Sequence, residues 1–269
     1  MIRLREKEFT EIVEYMRKNY GINLEKKKVL IECRMTKVLD QYGISSFRAY
    51  LDQMYRDRNG KLAEDMVNRL TTNYTYFLRE QEHFDILKQS IFPEIFEKRH
   101  FKSIIIWCAG CSSGEECYTL AMILDEYRER KNLTFRIKII ATDISEEILQ
   151  QAQRAVYSAR ELKRIPERWR EKYFRSVDNK SFRIEEKIKH YVSFQKYNLM
   201  DTGMKQEQFD LILCRNVMIY FDKASREKLI KQLEKCLTPG GYLLIGHAEL
   251  LSRDETELES VYPAIYKKK

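Results

Sequence analysis

The nineteen residues from Ile104 to Met122, Ile-Ile-Ile-Trp-Cys-Ala-Gly-Cys-Ser-Ser-Gly-Glu-Glu-Cys-Tyr-Thr-Leu-Ala-Met, constrain the fold more than any other stretch. Three consecutive isoleucines read as a strand covered on both faces. Gly110 and Gly114, set among small residues, let backbone approach a ligand closely, and Glu115 and Glu116 suit the first turn of a helix. Leu120, Ala121, Ile123 and Leu124 then carry that helix onto the sheet. The stretch reads as the first βα unit of a nucleotide-type α/β fold.

The residues around the turn narrow the ligand. No Lys-Ser or Lys-Thr follows Gly114, which argues against a phosphate-cradling loop. Two carboxylates at the helix start would repel a pyrophosphate. A ligand with a cationic centre and a ribose fits better, and S-adenosylmethionine has both. An ordinary βα turn with solvated glutamates is the competing reading.

A chain of 269 residues allows one large or two modest domains. No apolar run approaches a membrane span, and the start Met-Ile-Arg-Leu-Arg-Glu-Lys has no apolar signal region, so a cytoplasmic protein without direct membrane insertion is expected. The cysteines at 33, 108, 111, 117, 214 and 236 show no disulfide rhythm and suit reduced thiols. Cys108-x-x-Cys111 has no answering Cys or His pair, the four histidines show no pairing, and no metal is expected. The net charge of +8 points to an acidic partner without naming one.

Residues 1–70 read as a helical unit. Phe9, Ile12, Val13 and Met16 recur at helical spacing, then Leu30, Ile31, Met35, Val38 and Leu39, then Phe47, Tyr50, Leu51 and Met54 behind a Ser45-Ser46 cap. Lys26 to Lys37, with Arg34 between, reads as a solvated basic face or as a docking face for an acidic helix. Residues 71–83 form a linker whose Thr71 to Glu80 segment fits neither period, as functional loops often do. A helix from Phe84 to Phe96, kinked at Pro93, leads into the α/β part, 84–269. Phe135 to Asp143 is a second strand, ending on a carboxylate where nucleotide folds place one against ribose hydroxyls. Tyr157 to Lys196 breaks the rhythm and reads as an inserted helix and hairpin, with twelve Lys and Arg against six Asp and Glu. Asn198 and Asn216 follow later strands and should converge with Asp143 above Gly110 and Gly114. Tyr242 to His247 continues the sheet, and Tyr262 to Tyr266 closes it as an edge strand.

Asn73-x-Thr75-x-x-x-Arg79-Glu, Trp107-x-Ala-Gly-Cys-Ser-Ser-Gly-Glu-Glu116, Ala-Thr-Asp143-Ile, Asn198-Leu and Cys-Arg-Asn216-Val-x-Ile-Tyr220-Phe together strongly resemble the CheR family of bacterial chemotaxis methyltransferases, nearly end to end. The resemblance implies an all-α N-terminal domain joined to a class I, Rossmann-like methyltransferase domain with a small inserted β-subdomain. It also implies methyl transfer from S-adenosyl-L-methionine to glutamate side chains in the cytoplasmic helical domain of chemoreceptors, leaving S-adenosyl-L-homocysteine. By the same resemblance Asn73, Thr75 and Arg79 reach the cofactor from the linker, and Glu116 and Asp143 hold its amino-acid and ribose parts beside Gly110. Asn198 and Leu199 flank the adenine, while Asn216 and Val217 line the pocket near Tyr220. Cys117, Leu78 and Ser113 stand where the family usually has Pro, Phe and Thr. Some relatives tether a receptor's C-terminal pentapeptide through a glycine loop of the insert. No glycine lies between Gly114 and Gly203, so no tether is expected here. Separately, a monomer is expected.

A glutamate side chain is already ionised at neutral pH, so the reaction needs positioning more than proton transfer. Arg79 is expected to orient the substrate carboxylate, Tyr220 to shape the methyl path, and Arg34 and Lys37 to dock the receptor. A nucleic-acid methyltransferase is the alternative that the basic surface suggests. Against it, Asn216-Val-Met-Ile-Tyr replaces the Asn/Asp-Pro-Pro-aromatic loop of amino-group methylation, and no nucleic-acid partner is expected. A non-catalytic receptor-binding adaptor is the third reading.

Overall fold

A computed structural model describes residues 2–98, 103–202, 204 and 208–269, with backbone alone at 97 and 98. Helix α1 (Glu6–Tyr20) buries Ile12, Val13 and Met16 and ends at Gly21, whose φ of 71° is left-handed. Helix α2 (Lys28–Tyr42) ends the same way at Gly43. Ser46 caps α3 (Phe47–Arg56) by accepting from the Ala49 amide at 3.2 Å. A fourth helix, α4 (Lys61–Leu70), buries Leu62, Met66, Val67 and Leu70, a spacing the sequence reading passed over. The four share one core, within which the Tyr50 hydroxyl donates to the Leu62 carbonyl at 2.6 Å.

The expected single helix from Phe84 to Phe96 is three pieces: α5 (Gln81–Ile86), a π-helical turn (Leu87–Ile91) and α6 (Phe92–Lys98). Proline has no N–H to return to an earlier carbonyl and its ring crowds the preceding turn, and the wide turn falls just before Pro93, inside one continuous helical run.

The α/β part is built on a seven-stranded sheet. Its elements in chain order begin β1 (Ser103–Ala109), α7 (Glu115–Lys131), β2 (Arg136–Asp143), α8 (Glu146–Arg154) and β3 (Val156–Ser158). Next come α9 (Glu167–Tyr173), β4 (Phe174–Ser176), β5 (Ser181–Ile184), α10 (Glu186–Lys189) and β6 (Val192–Lys196). The chain ends with β7 (Phe209–Cys214), α11 (Lys223–Cys236), β8 (Leu237–Ile245), β9 (Glu259–Tyr262) and β10 (Ile265–Lys267). The order across the sheet is β6-β2-β1-β7-β8-β10-β9, with β6 to β8 parallel and the last two strands added antiparallel. Alternation along β1 turns Ile104 and Ile106 toward the core shared with α7, and Trp107 and Ala109 toward the core shared with α11. Truncating fully buried Ile106 to alanine would cost about 2–5 kcal/mol.

Two sequence expectations change. Val192–Lys196 does not belong to an inserted hairpin: it is the sheet's edge strand, paired in parallel with Ile139–Asp143. The inserted sheet is β3-β5-β4 alone, so it is shorter than 157–196 at its far end. The closing segment is a hairpin of two strands, turning at Ala264 with φ of 57°, rather than one strand. No described helix is long and apolar enough to cross a membrane.

Candidate active site

Open α/β sheets take ligands beyond the carboxyl ends of the strands, where successive connections run to opposite sides. Here that point lies between β1 and β7, because β1 is followed by β2 on one side and β7 pairs on the other. A cleft of about 1270 Å³, solvent at its mouth included, opens there. Its walls come from the helical unit (Tyr20, Ile22, Leu24, Leu30), from the linker and from the strand ends. Ile22 bridges to Phe221, and the Asn23 amide donates to the Tyr220 carbonyl at 2.7 Å, which fixes the helical unit against the cleft.

All the residues expected around the cofactor line this cleft: Asn73, Thr75, Arg79, Gly110, Glu116, Asp143, Asn198, Leu199, Asn216 and Val217, with Tyr220 beside them. Gly114 does not; it precedes α7 with φ of 92°. Gly110 must be glycine, since φ is 82° and a Cβ would stand 2.5 Å from Val217 Cγ2.

Two carboxylates dominate the floor. Asp143 ends β2 and accepts from the amides of Ser112 at 2.9 Å and Ser145 at 3.0 Å. Burial pushes its carboxyl up, and the amides of Ser145, Ser112 and Ile144 pull it back. Helix α8 is capped separately by the Ser145 hydroxyl. The Ser112 hydroxyl donates to the Asn73 carbonyl at 2.9 Å, pinning the linker over the turn. Glu116, in the first turn of α7, is pushed up by burial and held against that by Arg215, whose Nη1 donates to it at 2.6 Å.

Arg215 is a cleft residue the sequence reading did not single out. It is buried, and its Nη2 also donates to Glu80 Oε2 at 3.1 Å and to the Arg79 carbonyl. Burial alone would raise Glu80, but Arg215 and Asn216 outweigh it and leave that carboxyl below its usual range. The signal was adjacency: Arg215 and Glu80 each stand one residue from a position that was chosen. Glu249 was also missed. It is 1% exposed and accepts from the amides of Asn216 and Gly246, both at 2.7 Å, and of Ile219 at 3.2 Å. That carboxylate holds Asn216 in a left-handed conformation, φ 59°. Nothing in the sequence near Glu249 forms a motif.

Asn198 donates to the Asn19 carbonyl at 2.7 Å and accepts from the Met200 amide at 3.0 Å, so it joins the helical unit to the β6–β7 connection. Arg79 donates to the Tyr74 carbonyl at 2.7 Å, with its guanidinium 5.8 and 5.9 Å from the Tyr74 and Tyr76 rings. Cys111 is a wall thiol, pushed up by burial to about 11 and therefore protonated at neutral pH.

The expected docking pair divides. Arg34 is committed to the junction of α4 and the linker, donating to the carbonyls of Thr71 at 2.8 Å and Arg69 at 3.1 Å, whereas Lys37 is exposed. The histidines also differ from expectation. His83 and His247, 164 positions apart, meet with ring centroids 4.5 Å apart. His190 lies against the Glu186 carbonyl, and His100 lies outside the described residues. Burial, then the positive charge of Arg215, pushes the His83 imidazole down to about 4.

Residues 73–266 match the family described as CheR methyltransferase, SAM binding domain, and residues 7–71 match its all-alpha domain. The chain is 40% identical to the chemotaxis protein methyltransferase of Borreliella burgdorferi, covering 99% of this chain and 96% of that one. It is 33% identical to the enzyme of that name from Vibrio parahaemolyticus, covering 98% and 97%. Chemotaxis protein methyltransferase Cher2 of Pseudomonas putida is 31% identical, covering 91% and 90%.

Proposed function

The chain belongs to the CheR family of chemotaxis methyltransferases and has their Rossmann-like fold; from that premise we propose that it methylates glutamate side chains of chemoreceptors, using S-adenosylmethionine. The observation that carries the proposal is the placement of two carboxylates, buried Asp143 and partly buried Glu116, on one apolar-walled cleft at the switch point of the sheet. Such a floor suits a ligand that is cationic at one end and presents ribose hydroxyls at the other.

Asp143 keeps acceptor capacity beyond its two side-chain hydrogen bonds and takes the ribose hydroxyls. Glu116 takes the ammonium group, with Arg215 fixing its orientation. Asn198 and Leu199 flank the base, Asn73 and Thr75 close the linker side, and Asn216 and Val217 form the opposite wall. When bound, the cofactor supplies a methyl group on a positively charged sulfur. The residues of the chain need supply no proton transfer, because the attacking glutamate is ionised at neutral pH. Arg79, held at the cleft by the linker aromatics, orients that carboxylate, and Tyr220 shapes its approach. Lys37 belongs to the receptor-facing surface of α2, and the reaction takes place in the cytoplasm.

Calorimetry with S-adenosylhomocysteine tests the cofactor assignment. The wild-type chain binds one equivalent, and Asp143→Ala and Glu116→Ala each weaken binding by about ten-fold or more, the equivalent of one lost charged hydrogen bond. Full affinity in both variants would refute the assignment.

A further inference from the structure

A second polar cluster lies behind the cleft wall. Glu80 immediately precedes α5 and His83 lies within it, three residues on, whereas His247 follows β8, far away in sequence. One ligand atom of each lies within 4.8 Å of the other two. His83 Nδ1 and Glu80 Oε2 are 3.5 Å apart, and the two imidazoles meet edge to face. His83 is 1% exposed, yet neither of its ring nitrogens has a hydrogen-bond partner of ordinary geometry. Leaving such a group unsatisfied costs about 1–3 kcal/mol. None of the three lines the cofactor cleft, and methyl transfer uses neither imidazole.

We propose that Glu80, His83 and His247 form a site for a divalent transition ion, Zn²⁺ foremost, and that its occupancy weakens cofactor binding through Glu80. Two imidazoles and a carboxylate leaving one position open are a familiar zinc ligand set. Ligand atoms about 2.0–2.1 Å from a tetrahedral ion stand about 3.4 Å from each other, close to the observed separation of His83 and Glu80. The ion must compete with Arg215, which holds Glu80 Oε2 at 3.1 Å, and with Asn216, whose Nδ2 donates to Oε1 at 3.2 Å. Arg215 retains Glu116 and the Arg79 carbonyl when Oε2 turns away. Because Arg215 and Asn216 line the cleft, ion and cofactor become linked, and the linkage is reciprocal.

The test is Zn²⁺ calorimetry on the full chain carrying Cys33→Ser, which removes the one exposed thiol among the six. Co²⁺ absorption supplies a second readout. One ion binds per chain, and His83→Gln and His247→Ala each lower Zn²⁺ affinity by about ten-fold or more, at least what losing a supporting partner of a ligand costs. Saturating Zn²⁺ weakens S-adenosylhomocysteine binding in the parent and not in His247→Ala. His247 is exposed, so its replacement leaves the fold intact, with metal-free S-adenosylhomocysteine affinity as the control. No Zn²⁺ binding, or binding untouched by both histidine variants, would overturn the site. Unchanged cofactor-product affinity with the ion bound would overturn the link. Metal-free binding of S-adenosylhomocysteine is a separate measurement, so failure here is distinct from failure of the methyltransferase reading.

Discussion

Arg215 and Glu116 are joined by a 2.6 Å hydrogen bond that runs from the end of β7 to the first turn of α7. The same guanidinium holds Glu80, so one cation neutralises two carboxylates and ties the linker to the sheet. Arg215→Ala would strand both carboxylates, lowering unfolding free energy by about 3–5 kcal/mol. S-adenosylhomocysteine affinity should fall about ten-fold or more. Arg215→Lys should lie between, since a point charge cannot fork to both partners. Denaturant titration and calorimetry on the three proteins check this.

Glu249 supports the opposite wall. Glu249→Ala leaves the amides of Asn216, Gly246 and Ile219 without their acceptor, at about 1–3 kcal/mol for each that stays dry. Cofactor affinity should fall along with stability, because the left-handed turn at Asn216 is released. Glu249→Gln keeps one oxygen acceptor and should recover part of both. Equal cofactor affinity in all three proteins would show that Glu249 has no bearing on the cleft.

Arg34 and Lys37 lie on one helix and should behave differently. Arg34→Ala removes the donor that ties the end of α4 to the start of the linker, so thermal stability and cofactor affinity both drop. Lys37→Ala should leave both unchanged and raise only the KM for receptor. A matched pair of thermal melts and methylation assays separates the two roles.

Glu129 on α7 meets Lys172 and Lys187 of the insert, and these pull its carboxyl down to about 2. A depressed carboxyl contributes stability above its unfolded value of 4.5, and that contribution is lost as pH falls toward 2. With Glu129 47% exposed, solvent screening holds the effect to about 1 kcal/mol or less. Glu129→Gln should therefore lower the denaturant midpoint slightly at pH 7 and match the wild type near pH 2.

The sheet and the cofactor positions were legible because they rest on local pattern. A run of isoleucines, a glycine turn and a carboxylate at a strand end each have a signature in a few residues. Val192–Lys196 was misplaced because alternation tells which face a residue occupies and not which strand lies beside it. Helix α4 was equally legible in the spacing of Leu62, Met66, Val67 and Leu70. Arg215 looked like any polar residue at a strand end, because sequence does not show whether a guanidinium turns inward. Glu249 acts on backbone amides, which carry no side-chain signal, and His83 meets His247 only through folding.

The most direct test is incubation of the chain with methyl-labelled S-adenosylmethionine and receptor-containing membranes. Base-labile label is expected on the receptor, reduced with Asp143→Ala when the cofactor is below saturation. Label that resists base, label on nucleic acid, or no transfer to receptor by a chain that binds the cofactor would contradict it.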